Sequence, residues 1–102
     1  MTSVFEALSD PTRRGILARL RIGGALSVNE IAGELPMTRQ AATKHLNLLR
    51  RAGLVRVRWE GRHRLHELEA SPLKKVDEWL APYSAFWDDT LARLEQHLEE
   101  NP

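Results

Sequence analysis

The chain has no cysteine among its 102 residues, which excludes disulfides, thiolate metal sites and thiol redox sensing. No apolar run approaches the roughly 20 residues that a membrane-spanning helix needs. The N-terminal segment MTSVFEALSDP lacks the charged-then-apolar order of a secretion signal, so the expectation is a soluble, cytoplasmic protein with no membrane partner. There is no Gly-rich phosphate loop and no Ser or Cys nucleophile with a matched base. No carboxylate pair sits in an apolar setting, since Asp88-Asp89 and Glu99-Glu100 read as the wet face of an amphipathic helix. An enzyme is therefore not expected, and no cofactor is implied. Repeats, low-complexity tracts and Gly/Ser/Pro-rich linkers are missing too. With 42% hydrophobic residues, residues 1–102 suit a single domain with a modest core.

What the chain does have is an uneven distribution of charge. The net charge is only +1, yet residues 39–64 carry Arg39, Lys44, Arg50, Arg51, Arg56, Arg58, Arg62 and Arg64 against Glu60 alone, a local balance of +7. Residues 69–102 set Lys74, Lys75 and Arg93 against eight acids, a balance of −5. A basic cluster of this kind attracts polyanions through its field and through counterion release. The acidic remainder keeps such a contact oriented.

Punctuation and periodicity divide the chain into short elements. A first helix is predicted around residues 3–9, with Val4, Phe5 and Leu8 forming its apolar face. Asp10 caps a second helix with Pro11 in its first turn, Ile16, Leu17 and Leu20 facing inward, and Gly23-Gly24 as its stop. Ser27 with Glu30 forms a capping-box pattern for a third helix, closed by Pro36. Thr38 caps a fourth, spanning about 38–52 and ending at Gly53, with Ala42, Leu46 and Leu49 turned to the core. Its other face is Arg39, Gln40, Thr43, Lys44, Asn47, Arg50 and Arg51. Val55, Val57 and Trp59 alternate with Arg56, Arg58 and Glu60, which predicts a strand with a buried and a wet face. Gly61 turns it into a hairpin over about 55–68. The last helical region, about 72–99, carries a near-heptad stripe of Leu73, Val76, Leu80, Tyr83, Trp87, Leu91, Leu94 and Leu98. Pro82 inside that stripe should kink the helix or divide it in two.

The fold class expected is mainly α with a small β-hairpin, a winged helix-turn-helix. Such a unit sends its second helix into the major groove, whose width admits one helix and whose base edges present distinct donors and acceptors. Arg39 can donate twice to a guanine and Gln40 can pair with an adenine, while Thr43 and Lys44 reach a base edge or a phosphate one turn on. Thr38, Asn47 and the wing residues Arg62 and Arg64 complete the expected DNA-binding set, the wing meeting phosphates or a minor groove. A salt link to the acidic C-terminal part is the competing use of the wing arginines. Arg50 and Arg51, at the far end of the helix, stand between phosphate contact and plain solvation. His63 and His66 read as surface or packing residues.

Three segments in order, DPTRRGILARL, LSVNEIAGEL and MTRQAATKHLNLLRRAGLVRVRWEGRHR, resemble the ArsR/SmtB family of bacterial and archaeal winged-helix repressors. The resemblance covers nearly all of residues 4–70, and TKHLNLLRRAGLV is its most specific piece. It implies a homodimer that binds a double-stranded operator near its own promoter. Pairing of the first and last helices across the two-fold axis would fall to Val4, Phe5 and Leu8 with Tyr83, Trp87, Leu91, Leu94 and Leu98. The family's metal sensors place cysteines where this chain has Ser27 and Asn29, neither of them a soft ligand. A second metal site of the family pairs an acid and a histidine with a downstream His-x-x-acid. His97 and Glu100 match only its second half, Ser84 and Phe86 occupying the first. No metal is therefore expected, and the segment from Pro72 resembles the metal-independent branch, often encoded beside small proteins of a hydrophobic-ligand-binding fold.

The aromatic residues Trp79, Tyr83, Phe86 and Trp87 leave two readings open, a dimer core or a pocket for an apolar effector of unknown identity between subunits. The rival function is a winged-helix adaptor that binds another protein and holds DNA only weakly and without sequence preference. The polar face from Arg39 to Arg51 speaks against it, because protein interfaces have apolar or aromatic centres.

Overall fold

The structure is a computed structural model and describes residues 2–100. Its elements run α1 (Val4–Leu8), α2 (Pro11–Gly23), α3 (Val28–Glu34), α4 (Arg39–Arg51), β1 (Val55–Glu60), β2 (His63–Leu68) and α5 (Leu73–Glu100). Side-chain oxygens cap the first four helices, Ser3 receiving the amide of Glu6, Asp10 that of Arg13, Ser27 that of Glu30 and Thr38 that of Ala41. Each satisfies an amide that the first turn leaves without a helical partner. Asp10 is held below its ordinary carboxylate pKa, chiefly by the Arg13 amide. The carbonyl ends of α1 are met differently: Arg13 donates to Ala7 O (2.8 Å) and Glu6 O (3.1 Å), and Arg14 to Leu8 O (2.7 Å). Two arginines of α2 thus tie the short α1 down.

The core is formed by Val4, Ala7, Ile16, Leu17, Leu20, Leu26, Ile31, Ala42, Leu46, Leu49, Leu54 and Val55. It sits between α1–α4 and the root of the hairpin. Arg19 and Glu34 join α2 to α3 by a salt bridge on the surface. Gly53, with φ 79°, adopts the left-handed conformation that turns α4 into β1. β1 and β2 pair antiparallel from Val55↔Leu68 to Glu60↔His63. Gly61 at φ 63° occupies the first central position of the two-residue turn, which fits a type II′ hairpin. The hairpin is anchored at its root by Leu26 and His66, whose backbones exchange two hydrogen bonds of 2.9 and 2.7 Å.

Three expectations are corrected here. Trp59, expected on the buried face of its strand, is 65% exposed. The inward face of the hairpin tip meets an open cleft, lined by Ser27, Val28, Asn29 and Arg39, rather than packed core, and the register sets Arg64 rather than an apolar residue opposite Trp59. Pro82 does not divide the last helix: α5 is continuous over 28 residues, about 42 Å of helix, although the Glu78 carbonyl loses its donor there. Val4 is buried in the protomer's own core rather than turned outward, and Leu8 packs partly against the same core.

α5 gives the molecule its shape. Leu73 and Val76 pack against the core, while no residue of the helix is fully buried. The chain measures 63 × 30 × 22 Å with a radius of gyration of 18.4 Å, against about 13 Å for a compact chain of this length. The excess is the projecting end of α5.

Candidate nucleic-acid interface

α3, the turn at Leu35–Thr38 and α4 make the helix-turn-helix. The Ser27 capping box is complete, the Ser27 hydroxyl oxygen accepting from the Glu30 amide (3.2 Å) and the Glu30 carboxylate accepting from the Ser27 amide (3.0 Å). Leu35 ends α3 in an extended conformation, and the Met37 amide closes the turn on Leu35 O at 2.7 Å. α4 then lies across the core with Ala42, Leu46 and Leu49 fully inside, which forces the opposite side of the same helix into solvent.

On that side Arg39, Gln40, Lys44, Asn47, Arg50 and Arg51 are exposed. Thr43 is half-buried, and its hydroxyl donates to Arg39 O at 3.0 Å; only its oxygen lone pairs remain for an outside donor. The Thr38 oxygen is engaged as the cap at 3.1 Å from the Ala41 amide. Arg51 Nε lies 3.3 Å from Asn47 O, folded back on its own helix.

The wing divides its arginines by face. Arg56 pairs with Glu67 and Glu69, both at 3.3 Å. Arg58 pairs with Glu60 at 3.2 Å and Glu67 at 3.3 Å. Glu69 is held below its usual pKa by hydrogen bonds from Ser71 and, after them, by the Arg56 charge. Among the described residues Arg39, Lys44, Arg62 and Arg64 form no salt bridge. The salt link to the C-terminal part, the competing use expected for Arg62 and Arg64, is not formed among the described residues; the wing's salt links are those of Arg56 and Arg58 to Glu60, Glu67 and Glu69.

His63 is exposed, whereas His66 is 2% exposed with Nδ1 lacking a hydrogen-bond partner. Burial pushes its pKa down, and the charges of Arg64 and Arg50 add to that. Ser27 and Asn29 stand at the start of α3, and no group of three or more His, Cys, Asp or Glu able to hold a metal comes together among the described residues. No helix among them is long and apolar enough to cross a membrane. Of the residues expected at a dimer contact, Phe5, Tyr83, Trp87, Leu91, Leu94 and Leu98 are exposed. Sequence reasoning missed that Trp59, on the inner face of its strand, is left exposed. The signal available was the cation that the strand register sets opposite it.

A capped helix-turn-helix, a two-stranded wing and a cationic face free of carboxylate partners define a winged helix-turn-helix DNA-binding regulator. Residues 8–58 match the family described as Helix-turn-helix domain. The chain is 36% identical to the HTH-type transcriptional regulator Rv2034 of Mycobacterium tuberculosis, across 93% of this chain and 85% of that protein. It is 31% identical to the transcriptional repressor SdpR of Bacillus subtilis, across 89% of this chain and 100% of that one. Among solved structures, an ArsR-like transcriptional regulator from Rhodococcus sp. RHA1 superposes with a TM-score of 0.69 at 40% identity, covering 91% of this chain and 87% of that one. The homodimeric winged helix-turn-helix DNA-binding domain of a Mycobacterium bovis protein superposes with a TM-score of 0.59 at 27% identity, covering 83% and 75%. The chain belongs to the ArsR-like family of winged helix-turn-helix transcriptional regulators. It is a regulator and not an enzyme.

Proposed function

We propose that the chain is a homodimeric repressor of its own promoter, one DNA-binding unit per protomer, with α4 as the recognition helix. Each copy reads one half of a near-palindromic operator, the half-sites about 34 Å apart. The observation that carries this reading is the pattern of free and engaged cations. Arg39 and Lys44 on α4 and Arg62 and Arg64 on the wing are exposed and unpaired, while the remaining wing arginines are neutralised. Arg39 and Gln40, in the first turn of α4, serve base edges; Lys44, Arg62 and Arg64 serve phosphates.

The dimer is supported by α5. Tyr83, Trp87, Leu91, Leu94 and Leu98 lie exposed along one stripe of a projecting helix, and an uncovered apolar face of this length calls for a partner. Phe5 stacks edge-on against Trp79 with centroids 6.1 Å apart, and Trp79 lies 5.2 Å from Tyr83. α1 therefore presents one continuous aromatic surface with α5. The homodimeric state of the Mycobacterium bovis neighbour and the repressor role of the Bacillus subtilis relative point the same way. With Ser27 and Asn29 in place of soft ligands, the reading includes no thiolate metal site.

The test is fluorescence anisotropy of the protein with about 40 base pairs from upstream of its own gene, against scrambled DNA over a salt series. A preference of about a thousandfold, with two chains per duplex, is the expected result. Equal and weak binding to both DNAs would refute autoregulation and return the adaptor reading.

A further inference from the structure

A cavity of about 440 Å³ opens where the beginning of α1, the end of α4 and the start of α5 meet. Small-molecule sites usually measure about 300 to 1,000 Å³. Val4, Phe5 and Pro72 give it apolar walls, and Gly53 lines it at the bend that leaves α4. Arg51 and Lys75 are the cations that line it, and no carboxylate does. Neither cation forms a salt bridge among the described residues. Arg51 engages only Nε, on Asn47 O, which leaves both terminal nitrogens of its guanidinium for another acceptor.

Lys75 stands against the local preference of its helix. Residues 69–102 are acidic on balance, yet two of their three bases, Lys74 and Lys75, fall in the first turn of α5, and no acid does. The helix dipole makes that turn positive, so a cation there is disfavoured and an anion is favoured. Arg51, Lys75 and the positive end of α5 therefore direct potential of one sign into a cavity with apolar walls. The place is apart from the surface offered to DNA, since Arg51 is twelve residues along α4 from Arg39, about 18 Å. Lys75 is also off the apolar stripe of α5.

We propose that this cavity binds an amphipathic organic anion, a carboxylate on a linear apolar body, one molecule per protomer. The carboxylate lies between the Arg51 guanidinium and the Lys75 ammonium, and the apolar body lies against Phe5 and Pro72. Two convergent cations favour a carboxylate over a neutral head group, while an inorganic anion would leave the apolar walls in water. The proposal goes beyond the reading of DNA and does not depend on it, so each can fail alone. A ligand here touches both the helix proposed to read DNA and the helix proposed to pair the protomers.

The isotope-labelled full chain is titrated with decanoate below its micelle-forming concentration, with decanol and with acetate, at constant ionic strength. The amide resonance of Gly53 reports on the cavity, and that of Leu94 on the exposed stripe of α5. Lys75→Glu and Lys74→Glu are titrated alongside. Both put an acid in the first turn of α5, where it suits the dipole, so both keep the fold, but of the two only Lys75 lines the cavity.

Decanoate is expected to shift Gly53 saturably and to bind at least about tenfold more tightly than decanol, with acetate leaving the resonance in place. Lys75→Glu should weaken decanoate at least about tenfold, and Lys74→Glu by less than about threefold, its charge being farther off and screened. No saturable shift at Gly53 would overturn the site, and so would shifts at Leu94 alone, which mark adsorption on the stripe. Equal affinity for decanoate and decanol, or equal weakening by the two substitutions, would overturn the pairing of a carboxylate with Arg51 and Lys75.

Discussion

Replacing Trp87 by Ala tests the two-fold assembly most sharply, because the effect is counted twice. Trp87 is 46% exposed in the protomer. With about 250 Å² of surface on a Trp side chain, roughly 115 Å² is available for a partner to cover. At about 25 cal/mol per Å², full coverage stabilises the dimer by about 3 kcal/mol per protomer, an upper figure. A two-fold interface contains the residue twice, so the loss approaches about 5 kcal/mol after allowing for the remaining methyl group. At about 1.4 kcal/mol per decade this weakens dimerisation by about 10³- to 10⁴-fold. The protomer itself should be untouched, since the side chain is outside the core and Ala is the better helix former. Sedimentation velocity over a dilution series measures the shift, with far-UV circular dichroism reporting on α5. Wild type and Trp87→Ala dissociating at the same concentration would refute the reasoning. So would a wild-type chain sedimenting at its monomer mass of 11.7 kDa at tens of micromolar.

Arg39→Ala should weaken operator binding by about 1 to 3 kcal/mol and relax sequence preference at one base position; competition with single-base operator variants reads this directly. Leu46→Ala, at a position with no exposed surface, should cost about 2 to 5 kcal/mol in urea unfolding with an unchanged denaturant slope. Stability should also fall in mild acid. His66 has a folded-state pKa below its unfolded value of about 6.5, so the unfolded chain binds more protons below that pH. The contribution is fully present above about pH 6.5 and is lost as pH falls toward the folded pKa, by up to about 1.4 kcal/mol per unit. Urea midpoints at pH 7.5 and 5.5 check this, and identical midpoints would contradict it. The losses tied to Asp10, Glu34 and Glu69, whose pKa values are also lowered, belong to a separate window below about pH 4.

Helix boundaries were legible because caps and stops are local chemistry. Ser27 with Glu30, Asp10 with Pro11 and Gly53 each act within a few residues, and each marks the boundary it was expected to mark. The inward stripe of α4 was legible for the same reason. What was not legible depended on what lies underneath. Alternation placed Trp59 on the inner face of its strand correctly, but whether that face is covered depends on what the fold packs against it, here an open cleft rather than core. Val4 was read as outward because helical spacing gives a face and not its direction. The partition of the wing arginines needed the strand register, since Arg56 meets Glu67 only once the hairpin has closed. His66 is a residue whose burial no periodicity announces; the backbone bridge to Leu26 puts it there.

The carboxylates of the wing bear on how the protein searches. Hold on irrelevant DNA rises steeply with the number of phosphates a protein neutralises, and a regulator held too firmly everywhere is slow to reach, and quick to be lured from, its own site. By engaging Arg56 and Arg58, Glu60, Glu67 and Glu69 keep two cations per protomer out of that count without removing the arginines. The wing keeps cross-strand struts that stiffen it, while its electrostatic grip is set lower than its arginine content suggests. With α4 as the proposed recognition helix, shorter residence on random sequence is the expected outcome, and discrimination would fall to the first turn of α4.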